Sequence, residues 1–458
     1  MDPRIEEYLS ENREHHLDEL KQLLAIPSVS ALPEHKQDIQ RAAQWLAESL
    51  KRAGMEQVKV MPTKGNPVVY GEWLKAEGKP TVLIYGHYDV QPVDPLELWE
   101  TPPFEPDIRD GQIFARGASD DKGQTFMHIK ALETILRTTG SLRLNFKFCL
   151  EGEEEIGSPN LEEFVAEHKD LLAADVLVIS DTSMLGRGKP AICYGLRGLC
   201  GLQIDVTGAK ADLHSGLFGG AVQNPIHALV ELLASMRNKD GQITINGFYD
   251  RVLPLTEEEK EAFRALNTDE EQTRKDLQVP DLFGEKGYTM VERTWARPTL
   301  EINGIYGGFQ GEGIKTVIPS QAHAKITCRL VPDQDPEEIL ALIEEHVRTH
   351  TPPGVTVEVK RFDKGRPFIT PIDHPAIQAA ARAYEKVFGV TPAFTRMGGS
   401  IPIVETFDRL LHLPIVLMGF SYPDDNFHAP NEHFHLECFD NGLRTLCYYW
   451  YELEQAIG

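Results

Sequence analysis

Five stretches of the sequence place carboxylates or imidazoles beside apolar runs. These are His87 and Asp89 in YGHYDV, Asp120 and Asp121 in ARGASDDKG, the triple glutamate Glu153, Glu154 and Glu155 in CLEGEEEIGS, Asp181 in ISD, and His428 in FHAPNEHFH. Crowded like charges repel, and a solvated acidic loop is the ordinary use of a charge run. Taken singly, His87 suits a satisfied core histidine, Asp120 and Asp121 a helix cap, and Asp181 a turn. Together they form a donor set that divalent cations would neutralise, since such ions take carboxylate and imidazole ligands. Spacing alone leaves open whether His428, His433 or His435 supplies the last imidazole.

The elements that must position these groups alternate in type. TVLIYG, LNFKFCL, DVLVIS and PIVLMGF read as buried strands. Residues 36–53 and DDKGQTFMHIKALETILRTTG read as helices, the second with Phe126, Ile129, Leu132, Ile135 and Leu136 on one stripe and a stop at Gly140. This predicts an α/β fold, a mixed and mostly parallel sheet flanked by helices. Ligand sites in such sheets gather beyond the carboxyl ends of the strands, where four of the five stretches fall. The first fifty residues read as helical, with His15 and His16 among charges on the surface. From YGLRG (194–198) the texture changes. The runs GLCGLQIDVTG, TLEING, AKITCRLVP and VTVEVKRF, with the helices NPIHALVELLASMRN and DPEEILALIEEHVRTH, predict a smaller α+β module with an antiparallel sheet. A polar, acidic stretch from about 246 to 292 lies inside it. The chain thus divides into a catalytic domain, residues 1–197 and 372–458, interrupted by an inserted domain, residues 198–371.

A length of 458 residues suits more than one core. A formal charge of −24 argues against nucleic acid or an anionic membrane as partner. The charged N-terminal segment has no apolar h-region and no stretch is long enough to span a bilayer, so a cytoplasmic protein is expected. Six cysteines are scattered without a CxxC pair, which predicts buried, reduced thiols rather than a disulfide framework or a cysteine-zinc site. There is no GxSxG elbow, HExxH helix or Walker loop, and GFQGEG lacks the strand–helix context of a dinucleotide site.

The motifs YGHYDV, ARGASDDKGQ, EGEEEIGS, ISD with YGLRG, DLHSG, RMGGSIP and HAPNE stand in the order found in the dinuclear-zinc amidohydrolases, the family of carnosinase, the cytosolic nonspecific dipeptidase and related carboxypeptidases and deacylases. The chain resembles the dipeptidase branch over nearly its whole length. The resemblance implies that Asp120 bridges two divalent ions, zinc foremost with manganese or cobalt as substitutes, with His87 and Asp181 completing one site and Glu155 and His428 the other. It implies Glu154 as general base, Asp89 as the group that orients His87, and a cis peptide between Asp120 and Asp121. The inserted domain would act as a lid and dimerisation domain, supplying His214 in trans to a homodimer partner as an oxyanion stabiliser. Arg329 would clamp the substrate carboxylate, which a guanidinium binds through two parallel hydrogen bonds. Asn303, Gly399 and Ser400 are further substrate contacts. Glu153 is left as a solvated neighbour.

The residues agree with that chemistry. Two divalent ions against three ligating carboxylates leave a single positive charge for the attacking water's conjugate base to neutralise. Glu154 adjoins a ligand yet faces the other way on an extended backbone. The expected activity is metal-dependent hydrolysis of dipeptides or short peptides with a free carboxylate. Met397 stands where many animal dipeptidases of this family carry a glutamate before the GGS turn, which makes an N-acyl-amino-acid deacylase the alternative. A non-catalytic metal-binding scaffold is the third reading, and the presence of Glu154 argues against it.

Overall fold

The computed structural model describes every residue except Met1, Asn267 and Ser400, and, within elements, all side chains but those of Asp363 and Pro402. The chain separates into two compact units. The first comprises residues 1–194, 370–395 and 402–458; the second comprises 195–369 and 396–401. The GGS turn therefore belongs to the second unit, although sequence texture placed it in the first.

The first unit holds strands β1 (Glu56–Met61), β2 (Val68–Trp73), β3 (Thr81–His87), β4 (Asn145–Glu151), β5 (Val176–Ile179), β6 (Ala191–Leu196) and β7 (Ile415–Met418), of which β3, β4, β5 and β7 are the four predicted apolar runs. Their spatial order is β1-β2-β4-β3-β5-β7-β6. The inner strands β4, β3, β5 and β7 run parallel, so their carboxyl ends share one edge. Residues on both faces of these strands are buried, which explains their near-continuous hydrophobic runs. Helices α1 (Lys36–Arg52), α2 (Lys122–Thr139), α3 (Pro375–Phe388) and α4 (Leu436–Ile457) pack with the sheet in one core. The predicted stop at Gly140 is a left-handed cap, φ 81°, where only glycine is free of a Cβ penalty.

The second unit pairs four antiparallel strands in the order Thr299–Gly307, Gln321–Leu330, Gly198–Thr207, Thr356–Gly365. Helices Pro225–Ser235 and Pro336–His350 share a core with them. The polar, acidic stretch contains short helices, two of them started by capping boxes at Thr256 and Thr289. His16 is a correction. It is 1% exposed, buried near the likewise buried Lys130 and Glu19, and neither ring nitrogen has a hydrogen-bond partner among the described residues.

Candidate metal centre

His87 is the last residue of β3, and Asp181 lies just beyond β5. Glu154 and Glu155 follow β4 in a short 3-10 turn, Asp120 precedes α2, and His428 sits in the loop after β7. The two oxygens of Asp120 serve different partners: Oδ1 lies 3.1 Å from His87 Nε2, and Oδ2 lies 2.9 Å from His428 Nε2. Asp181 Oδ2 is 3.9 Å from His87 Nε2, and Glu155 Oε2 is 3.3 Å from His428 Nε2. Two triads result, His87–Asp120–Asp181 and Asp120–Glu155–His428, each with donor atoms within 4.8 Å of one another. The open choice among three histidines resolves geometrically: His428 faces Asp120, while His433 and His435 face Asp425 instead. The peptide joining Asp120 to Asp121 is cis.

Electrostatics tests whether this donor set fits cations. Burial, with the charges of Asp120 and Asp121, pushes Asp181 well above the usual carboxylate range. Burial and Asp120 push Glu155 up to about 8. For His87, burial favours the neutral ring, yet hydrogen bonds to Asp120 and Asp89 with the charges of Asp181 and Glu154 hold it well above its ordinary value. The protein-only cluster is thus short of positive charge and makes up the deficit with protons. Divalent ions would displace them, which is how ligation behaves in such sites.

The remaining residues orient this set. His87 Nδ1 donates to the Asp89 carbonyl at 3.1 Å, which leaves the Nε2 lone pair facing Asp120. The Asp89 carboxylate, 3.5 Å from Nδ1, mainly accepts from the backbone N–H groups of Glu154 and Glu155 at 3.2 and 3.1 Å. Asp89 therefore fixes the glutamate turn as well as the imidazole. Gln91 Nε2 donates to Glu155 Oε2 at 2.8 Å.

Glu153 is not solvated. It is 5% exposed and accepts from Asn66 N and Asn160 Nδ2, each at 2.8 Å. Sequence reasoning also gave no role to Glu432, which is buried and accepts from Arg116 Nη1 (2.8 Å), Gly117 N (3.0 Å), Ser119 N (3.1 Å) and Asp120 N (3.1 Å). Its only sequence signal was membership of HAPNE. Glu151, beside His87 in register, is buried against Tyr85 Oη at 2.5 Å, and burial pushes it up to about 8.

In the second unit, Arg329 and Asn303 line a cavity of about 450 Å³ together with Arg197, Arg293, Arg297 and Glu285. Glu285 binds Arg297 through two contacts of 2.7 Å. Burial, reinforced by the Arg329 charge, lowers Arg197 to about 10. His214 is exposed, its Nδ1 accepting from Gly216 N at 3.0 Å. Gly399 lies in the 396–401 segment of this unit, and Ser400 lies outside the described residues. Among the described residues no helix is long and apolar enough to cross a membrane.

The chain is similar to known proteins along nearly its whole length. Over 98% of its length the chain is 34% identical to the Cys-Gly metallodipeptidase of Schizosaccharomyces pombe, covering 98% of that protein. It is 33% identical to the human Beta-Ala-His dipeptidase, over 99% of this chain and 92% of that one. The fold matches the crystal structure of an M20 family metallo-carboxypeptidase from Sulfolobus solfataricus with a TM-score of 0.81 at 32% identity, covering 96% of this chain and 99% of that one. Human carnosine dipeptidase 1 matches with a TM-score of 0.76 at 32% identity, with 98% of each chain covered. The model of peptidase family M20/M25/M40 matches residues 83–452, and with these relatives it establishes that the chain belongs to that metallopeptidase family.

Proposed function

We propose that the chain is a two-metal peptidase that hydrolyses dipeptides, or short peptides, bearing a free C-terminal carboxylate. The observation that carries this reading is the sharing of Asp120, whose separate oxygens face His87 and His428 and so join two ligand sets. His87 and Asp181 would hold one ion, Glu155 and His428 the other, with Asp120 available to both. Mixed imidazole and carboxylate ligation suits zinc, with manganese or cobalt as substitutes. When bound, the ions polarise the scissile carbonyl and acidify the attacking water.

The chain's own residues manage the proton. Glu154 carries its backbone on Asp89 and is not a member of either ligand set. Its carboxyl is raised by burial first, then by the charges of Asp120 and Asp89, against the lowering influence of His87 and His428. A carboxyl so raised can take the proton that the attacking water gives up. It then returns that proton to the amine nitrogen as the C–N bond breaks. Arg329, among the guanidinium groups of its cavity, would take the substrate carboxylate, with Asn303 in the same lining; Gly399 and Ser400 are proposed as further contacts on the family resemblance alone. The exposed His214, its Nδ1 already committed, presents Nε2 for use in a partner subunit of a homodimer. The six buried free thiols suit a reducing, cytoplasmic compartment.

One observation supports a second reading. Met397 is apolar and 36% exposed, and a site without an acidic group there would accept an N-acyl amino acid. A panel of dipeptides against N-acetyl and N-carbamoyl amino acids, with and without chelator, separates the two. Dipeptide turnover abolished by chelation and by Glu154→Ala is expected. Turnover that survives both would refute the mechanism, and turnover confined to N-acyl substrates would replace the peptidase by the deacylase.

A further inference from the structure

The dinuclear set leaves His433 and His435 unused, and they gather elsewhere. The strand His433–His435 pairs antiparallel with Gln112–Phe114, setting His433 opposite Phe114 and His435 opposite Gln112. Residues two apart on a strand share a face, so both imidazoles project to one side while Phe434 enters the core. On that side lies Asp425, 0% exposed. Its Oδ2 is saturated by Ser119 Oγ at 2.7 Å and Tyr422 N at 2.9 Å. Its Oδ1 is buried with no hydrogen-bond partner among the described residues. That oxygen is aimed at two ring nitrogens, His433 Nε2 at 3.9 Å and His435 Nε2 at 3.7 Å.

These separations are too long for hydrogen bonds. Two ligands held about 2.1 Å from one ion stand about 3.4 Å apart at the tetrahedral angle and about 3.9 Å apart near 135°. The three donor atoms all lie within 4.8 Å of one another. His433 Nδ1 donates to the Asn431 carbonyl at 3.0 Å, fixing the tautomer whose Nε2 lone pair faces the carboxylate. Gln112 Nε2 donates to His435 Nε2 at 3.1 Å, and turning the amide over would put Oε1 there as a fourth ligand. The rings of Phe114 and Tyr422 wall the site, each with its centroid 4.9 Å from an imidazole.

We propose that Asp425, His433 and His435 bind a third divalent transition-metal ion, zinc by donor type, at a site separate from the dinuclear centre. The ion closes the 425–435 loop, which carries His428 and Glu432, and it reaches Asp120 only through Ser119 and Glu432. Its role is to position the loop; it takes no part in the reaction.

The test is metal content per folded chain after stripping and zinc reloading, measured by plasma mass spectrometry alongside the cobalt-substituted visible spectrum. Wild type should hold about one further equivalent than His433→Gln/His435→Gln. It should also show cobalt bands that the variant lacks. This difference does not depend on how many ions the dinuclear centre takes, so it stands or falls apart from the peptidase reading. Equal metal content and superimposable cobalt spectra would overturn the proposal. If the double variant does not fold, the converse variant His87→Ala/Asp120→Asn must retain about one equivalent; a metal-free folded chain would overturn it equally.

Discussion

Glu432→Gln removes a buried charge that belongs to neither ligand set, and it should weaken both the fold and metal binding. Glutamine retains one acceptor oxygen. If that oxygen stays on the backbone N–H groups of Ser119 and Asp120, the new amide N–H2 confronts Gly117 N and Arg116 Nη1, both donors. Arg116 is 1% exposed and, among the described residues, its side chain keeps the Pro92 carbonyl, at 2.9 Å, and the Trp99 ring as partners. Removing one member of a buried ion pair costs about 3–5 kcal/mol, and an orphaned buried N–H costs about 1–3 kcal/mol. Both losses arise from one carboxylate and overlap, so a decrease of about 4 kcal/mol is expected rather than their sum. Guanidinium unfolding of the chelator-treated protein measures it. Competition with a chromophoric chelator should show zinc affinity about 10–100-fold weaker, because the acceptor that holds the Asp120 backbone N–H is no longer charged and its cradle is strained. The double variant Arg116→Met/Glu432→Gln should be more stable than Glu432→Gln, since no charge is left stranded. A loss below about 1 kcal/mol with unchanged zinc affinity would show that this cradle does not hold Asp120.

Three further outcomes follow from individual contacts. Asp89→Asn halves the acceptor capacity facing Glu154 N and Glu155 N, so kcat should fall about 10–100-fold with metal content retained; steady-state kinetics beside metal analysis would reveal an unaffected turn. His16 is lowered to about 4 by burial and then by the Lys130 charge, so its contribution is complete above its unfolded value near 6.5 and is lost as pH falls toward 4. That loss amounts to about 3 kcal/mol, and the stability gap between His16→Phe and wild type should widen by this amount between pH 7 and 4, whereas parallel profiles would refute it. Glu285→Gln leaves Arg297 without its bidentate carboxylate and should destabilise the protein by about 3 kcal/mol, read as an earlier unfolding transition; a shift below about 1 kcal/mol would count against it.

What the sequence disclosed divides by the range of the cause. The strands of the first unit were legible because both faces are buried, so that hydrophobic run and strand coincide, and their parallel order delivers His87, Glu155, Asp181 and His428 to one edge. The stop of α2 at Gly140 was legible because a left-handed cap is a local demand on one residue. The fates of the three glutamates were not, since Asn66 and Asn160 draw Glu153 away and Asp89 holds the next two by their backbone. Nothing within the stretch itself encodes those partners. Glu432 was hidden for the same reason: its four donors lie more than three hundred residues away in the chain. The histidines of FHAPNEHFH show where a local pattern does carry information once its period is recognised. His433 and His435 are two apart and Phe434 between them is apolar, the alternation of a half-buried strand. Two imidazoles in that register must share one face of their own strand. They must face whatever the other side of their own strand provides, which in this fold is the unsatisfied oxygen of Asp425.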